Sequence, residues 1–260
     1  MRKVNYLLLG EICSGTLEGQ QVFPDSPDQP AIHLSQLQLL PPVNKPGKII
    51  CVGLNYPPVL YMNTWTPPPY PVLFHKTSSS MIGCGSAIIL PKISQQVLYE
   101  GELVVVIGTR AKNIPIDQAL NILAGYTIAN DVGASDIEAR SSQWDSGKMF
   151  DTFCPLGPAL VTPDEIQDPG SLSIRTTLNG QVVQDANTSE MIFSVPYLIS
   201  YISQLTTLEP GDLILTGSPK RAGSTPDPRT PLKSGDSISI EIENLGILTN
   251  PVIDEGIRNE

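Results

Sequence analysis

The chain has 260 residues, of which 40% are apolar, 25 are proline and 21 are glycine, and it carries a formal charge of −10. That length and apolar content suit one large folded domain, or a small unit attached to a larger one, and argue against disorder. The negative charge and the lack of a basic, aromatic-studded cluster argue against nucleic acid as a partner, and no run approaches the roughly 20 apolar residues of a membrane span.

The first apolar run, residues 7–9 after Met1, Arg2 and Lys3, is too short for an export signal, so a cytoplasmic location is expected. Residues 4–13 and 16–23 are strand-like with Ser14 and Gly15 as their turn, which predicts a small N-terminal β unit over residues 1–45. A proline-bearing stretch at 40–46 leads to an apolar, β-branched run at 48–53, where the main unit, residues 46–260, begins. Residues 56–71 hold six prolines, which exclude an ordinary helix or central strand. Strands are expected at 72–75, 87–90, 98–108, 125–131, 159–162, 173–178, 212–216 and 237–242, and helices at 116–123 and 195–204. Asn179 and Gly180 mark a two-residue hairpin turn. The fold class is therefore mainly β with peripheral helices (α+β). Cys13, Cys51, Cys84 and Cys154 have no metal-like spacing and are read as reduced thiols.

Glu100 and Glu102 open an apolar strand candidate, and the period of two puts both on one face. Asp131 ends a second apolar run. Three converging carboxylates repel one another unless a hard cation such as Mg²⁺, Mn²⁺ or Ca²⁺ neutralises them. Solvated acids at strand ends would show the same spacing, so spacing alone leaves both readings open.

Six segments are more specific: KIICVGLNY at 48–56, YEGELVVVIG at 99–108, AGYTIANDV at 124–132, QWDSGKMFDTFCPLGP at 143–158, TSEMIF at 188–193 and LEPGDLILTG at 208–217. In this order they resemble the signature segments of the fumarylacetoacetate hydrolase superfamily, across residues 48–252. The resemblance implies a rolled, mixed β-sheet core, a homodimer, and Mg²⁺ or Mn²⁺ held by Glu100, Glu102 and Asp131. It implies cleavage, decarboxylation or tautomerisation of a 1,3-dicarbonyl or 2-oxo acid through a metal-stabilised enolate, with Lys148 as a second positive charge. It also places Lys76, Thr216 and Gly217 beside the substrate.

The chain departs from the family at the segment after Gly-Leu-Asn-Tyr, where a His and a Glu commonly activate water. Val59 and Met62 stand there, and neither moves a proton, which puts ordinary hydrolysis in doubt. His75 and Glu138 are the remaining candidate proton carriers. Tyr56, Tyr61, Trp65 and Tyr70 among the prolines predict an aromatic, nearly uncharged cover suited to a larger apolar ligand, with Tyr56, Tyr61 and Trp65 as its contacts. Lys220 and Arg221 add two cations beyond Gly217. A cyclase or isomerase of specialised metabolism and a non-catalytic, metal-binding relative are the alternative readings. No dinucleotide fingerprint, P-loop or nucleophile elbow is present.

Overall fold

The computed structural model describes residues 1–57, 65–219 and 230–256. Strands dominate and helices are few and short, as the sequence predicts. Among the described residues the larger sheet has 12 strands, and its main path runs Ile32–His33, Gln21–Pro24, Glu11–Glu18, Arg2–Leu8, Cys154–Val161, Leu123–Asn130, Gly101–Ile107, Leu213–Leu215, Ile49–Gly53 and Val72–Lys76. The smaller sheet runs Gln181–Asn187, Ser173–Leu178, Ser237–Ile242, Gly246–Asp254 and Ile88–Leu90. Both are mixed: Leu213–Leu215 pairs in parallel with Ile49–Gly53, and Gly246–Asp254 with Ile88–Leu90.

The two sheets share one core. Leu103, Val105 and Ile128 of the larger sheet meet Ile174, Ile240 and Leu248 of the smaller one, and helix Val195–Leu205 closes one side with Leu198, Ile199 and Ile202. Every residue of Gly101–Ile107 is buried, so beyond Glu102 this strand is apolar on both faces instead of alternating. Each fully buried Val, Leu or Ile side chain contributes about 1.5–3 kcal/mol, so this strand anchors the residues at its mouth.

Several local expectations need correction. Ser14 and Gly15 lie inside strand Glu11–Glu18, and the turn falls at Leu9 and Gly10, with φ of 51° and 86°. Gly15 is needed for closeness instead: a Cβ there would stand 2.7 Å from the Phe23 carbonyl oxygen. The first of the two expected helices is a 3₁₀ helix, Ile116–Ile122. The expected strand at 98–108 is broken, because Tyr99 and Glu100 separate Val97–Leu98 from Gly101–Ile107. Strand Gly246–Asp254 was not expected, and its Pro251 is accommodated at an exposed position. Asn179 and Gly180 form the expected hairpin turn, with φ of 52° and 82°. The N-terminal strands join the larger sheet through the pairing of Arg2 with Val161 and Lys3 with Leu160.

Candidate metal centre and active site

Antiparallel pairing sets Gly101 opposite Asn130 and Glu102 opposite Ala129, so Asp131, the next residue, arrives beside Glu100. The Asp131 amide donates to the Glu100 carbonyl oxygen at 2.8 Å. One carboxylate oxygen from each of Glu100, Glu102 and Asp131 lies within 4.8 Å of the others. Glu102 and Asp131 are buried, at 2% and 0% exposure, and Glu100 is half-buried.

Two buried lysines face this trio. Lys76 Nζ donates to Asp131 Oδ1 at 2.6 Å and to the Val132 carbonyl oxygen at 2.8 Å. Lys148 Nζ donates to Glu100 Oε2 at 2.6 Å and to the Asp131 carbonyl oxygen at 3.1 Å, and lies 5.4 Å from the centre of the Phe74 ring. Trp144 packs edge-on against Phe74 and occupies the space that a side chain at Gly53 would need. Burial acts to lower Lys148, but Asp131, Glu100 and Glu138 outweigh it and hold the ammonium well above the ordinary lysine range. Burial, then Asp131 and Glu100, push the Glu102 carboxyl well above the ordinary carboxylate range, against the opposing Gly217 amide and Lys148.

This donor set fits a hard divalent cation. Its oxygens converge, and Asp131 Oδ2 is buried without a hydrogen-bond partner among the described residues. Lys148 Nζ stands 3.1 Å from that oxygen as an ion pair, at an angle unsuited to a hydrogen bond. Burying three like charges is costly, and a cation relieves that cost directly.

Backbone and carboxamide contacts fix the trio. Gly217 N donates to Glu102 Oε2 at 2.7 Å, and the Thr216 hydroxyl donates to the Leu103 carbonyl oxygen at 2.9 Å. Asn55 Nδ2 donates to the Thr216 carbonyl oxygen at 2.7 Å, and Asn130 Oδ1 accepts from the Glu100 amide at 2.9 Å. Gln184 Oε1 accepts from the Gly101 amide at 3.1 Å. Sequence reasoning missed all three carboxamides. Asn55 and Asn130 lie inside the matched segments, and that position was the available signal.

The other expected residues are spread more widely. Tyr56 is buried with its hydroxyl unpartnered among the described residues, and burial, then Glu102 and Glu190, push its phenol well above the usual range. Glu138 ends the short helix Ser135–Glu138 and packs against Gly133, Gly147 and the Lys148 side of the site. His75 is not brought in: strand alternation buries Phe74 and Lys76 and leaves the His75 side chain 62% exposed, with Nδ1 4.0 Å from Asp145. Trp65 is half-buried, whereas Tyr61, Val59, Met62, Lys220 and Arg221 lie outside the described residues.

A rolled β framework gathers three acids and two lysines at one point, a donor set that could hold a cation. Residues 48–253 match the fumarylacetoacetate (FAA) hydrolase C-terminal family. The chain is 46% identical over 225 residues to "Oxaloacetate tautomerase Fahd2a, mitochondrial" of Rattus norvegicus, spanning 86% of this chain and 72% of that one. Among solved structures it is similar to 5-carboxymethyl-2-hydroxymuconate delta-isomerase from Mycobacterium smegmatis, with a TM-score of 0.87, 36% identity, and coverage of 99% and 100% of the two chains. It is also similar to maleylpyruvate hydrolase from Sphingobium sp. SYK-6 in complex with manganese(II) and pyruvate, with a TM-score of 0.81, 25% identity, and coverage of 98% and 99%. The chain belongs to the fumarylacetoacetate hydrolase family and is an enzyme of that superfamily. Among the described residues, no helix is long and apolar enough to cross a membrane.

Proposed function

We propose that this enzyme interconverts the keto and enol forms of a 2-oxo diacid of the oxaloacetate type, with Mg²⁺ or Mn²⁺ held by Glu100, Glu102 and Asp131. The carrying observation is the charge balance: three carboxylates stand against the two buried ammoniums of Lys76 and Lys148. A dication brings that set to a net positive charge, suited to a dianionic oxo acid. The identity to an oxaloacetate tautomerase supports the substrate class. Tautomerisation consumes no water, so Val59 and Met62 in place of a water-activating pair are no obstacle to it.

In the reaction a C3–H bond breaks, its electron pair becomes the C2=C3 bond, and the C2 carbonyl oxygen gains a proton. No atom is gained or lost. When bound, the cation supplies Lewis-acid polarisation of the carbonyl oxygen. Lys148, whose ammonium pairs with Glu100 and Asp131, is assigned to oppose the negative charge developing on that oxygen. Glu138, beside Lys148, is assigned the proton transfer between carbon and oxygen. Tyr56 and Trp65 are assigned to substrate contact. A homodimer and action inside the cell belong to the same proposal.

The test follows ultraviolet absorbance of enol-oxaloacetate with the Mg²⁺- or Mn²⁺-loaded protein, a chelated control, and Glu138→Gln. Metal-dependent acceleration that falls at least tenfold in the variant supports the reading. Loaded protein that leaves the buffer rate unchanged overturns it.

A further inference from the structure

Gln184 lies on edge strand Gln181–Asn187 and is 1% exposed. Its carboxamide is fully engaged. Oε1 accepts from the Gly101 amide at 3.1 Å and the Thr176 hydroxyl at 2.7 Å, while Nε2 donates to Ser218 Oγ at 2.8 Å and the Pro219 carbonyl oxygen at 2.6 Å. Chemistry fixes this orientation, since a backbone amide only donates and a backbone carbonyl only accepts.

What these contacts join is specific. Gly101 stands between Glu100 and Glu102, and Ser218 and Pro219 directly follow Gly217, whose amide holds Glu102 Oε2 at 2.7 Å. The chain of contacts therefore closes on one residue: from the Glu102 carboxylate to Gly217, along the backbone to Ser218 and Pro219, through Gln184 to Gly101, and back to the Glu102 backbone. Glycine at 101 is what lets the small sheet approach, because a Cβ there would stand 2.5 Å from Thr176 Oγ1. A polar side chain this deeply buried is costly unless every group is paired, and here the pairing is spent on the two anchors of a single carboxylate.

We propose that Gln184 is a positioning residue for the metal centre: it holds the backbone of Glu102 and the donor to its carboxylate in one frame, and so sets the ligand geometry. The proposal rests on the reading above only in taking Glu100, Glu102 and Asp131 as the metal site. Groups that orient metal ligands typically cost about 10–100-fold in affinity when removed.

The experiment titrates Mn²⁺ alone into the full chain and measures backbone hydrogen exchange on the metal-free protein, for wild type, Gln184→Met and Ser218→Ala. Gln184→Met is expected to raise the Mn²⁺ dissociation constant at least tenfold, and to speed exchange both around Gly101 and around Gly217. Ser218→Ala, which leaves the Gly101 and Pro219 contacts in place, is expected to change the constant less than about threefold. A folded Gln184→Met protein with wild-type Mn²⁺ affinity, or with faster exchange confined to residues 173–187, overturns the proposal. Should Gln184→Met fail to fold, Gln184→Glu is titrated instead: it keeps the acceptor facing Gly101 but loses a donor to Ser218 or Pro219, and unchanged Mn²⁺ affinity again overturns it. A wild-type chain that binds no Mn²⁺ defeats the functional reading, and the exchange comparison on metal-free protein then decides for or against Gln184 by itself.

Discussion

Lys76 Nζ lies 2.6 Å from Asp131 Oδ1, with both side chains at 0% exposure. Such a pair is a weak source of net stability, because desolvating both ions offsets their attraction, but it is costly to break by halves. Lys76→Met leaves Asp131 buried without this partner, so urea unfolding of the metal-free variant should show a loss of about 3–5 kcal/mol. Added Mn²⁺ should restore part of it, because a cation replaces the missing charge. A loss below about 1 kcal/mol would show that Asp131 is solvated or otherwise compensated.

Glu102 offers the opposite sign. Burial and its two acidic neighbours raise its folded pKa, so ionisation is disfavoured in the folded state. For an acid with a raised folded pKa, stability falls as pH rises from the unfolded value, about 4.3, towards the folded one. Metal-free wild type should therefore lose stability above about pH 5, and Glu102→Gln should lose less. With metal the order reverses: wild type should gain about 2.7 kcal/mol at a cation concentration one hundred times its dissociation constant, and Glu102→Gln far less. Thermal melts at pH 5 and pH 8, with chelator and with Mn²⁺, measure both effects. Equal pH slopes for the two proteins would count against the ionisation argument.

The three acids were legible in the sequence through the ordered family segments that contain them, since their spacing alone fitted solvated strand-end acids equally well. Their counter-ions were less so. Lys76 and Lys148 reach Asp131 across 55 and 17 residues, and only the packing of the short helix Asp145–Lys148 against strand Val72–Lys76 brings both to the same mouth. Gln184 was invisible for a related reason: a polar residue in a hairpin strand ordinarily faces water, and this one is buried because Gly101 admits the smaller sheet so closely. Ser14 and Gly15 misled because glycine punctuates turns more often than it relieves a contact between neighbouring strands. His75 was decidable, since alternation with Phe74 and Lys76 sends it outward.

Lys148 separates charge from structure. Lys148→Met removes the ammonium that meets Glu100 and Asp131, and with it the charge assigned to the developing oxyanion. Turnover should fall by about 10²–10³, with a smaller change in KM, the pattern of a group that acts more strongly in the transition state. Mn²⁺ affinity should hold or rise, because a cation that repels the metal has been taken away. Steady-state kinetics beside a metal titration checks both, and a joint collapse of metal affinity and turnover would instead make Lys148 a scaffold for the ligands.

Gly217 carries the most restrictive backbone demand at the site. Its φ is 102°, outside the range an L side chain favours, and a Cβ there would stand 2.7 Å from Asn55 Cβ and 3.0 Å from the Val52 carbonyl oxygen. Gly217→Ala must therefore shift either residue 217 or the Asn55 turn, and Asn55 is itself held by the Thr216 carbonyl oxygen and by both backbone groups of Phe193. Strain of this kind costs of order 1–3 kcal/mol, which denaturant unfolding should register. The more telling consequence is local. Moving residue 217 draws its amide away from Glu102 Oε2, so Mn²⁺ affinity should drop by about tenfold, the cost of losing one hydrogen bond to a charged ligand. Because Gly217→Ala adds a methyl group and removes no hydrogen-bonding atom, weakened metal binding in a folded variant traces to the position of that amide. Unaltered affinity would show that Glu102 is held by its strand alone.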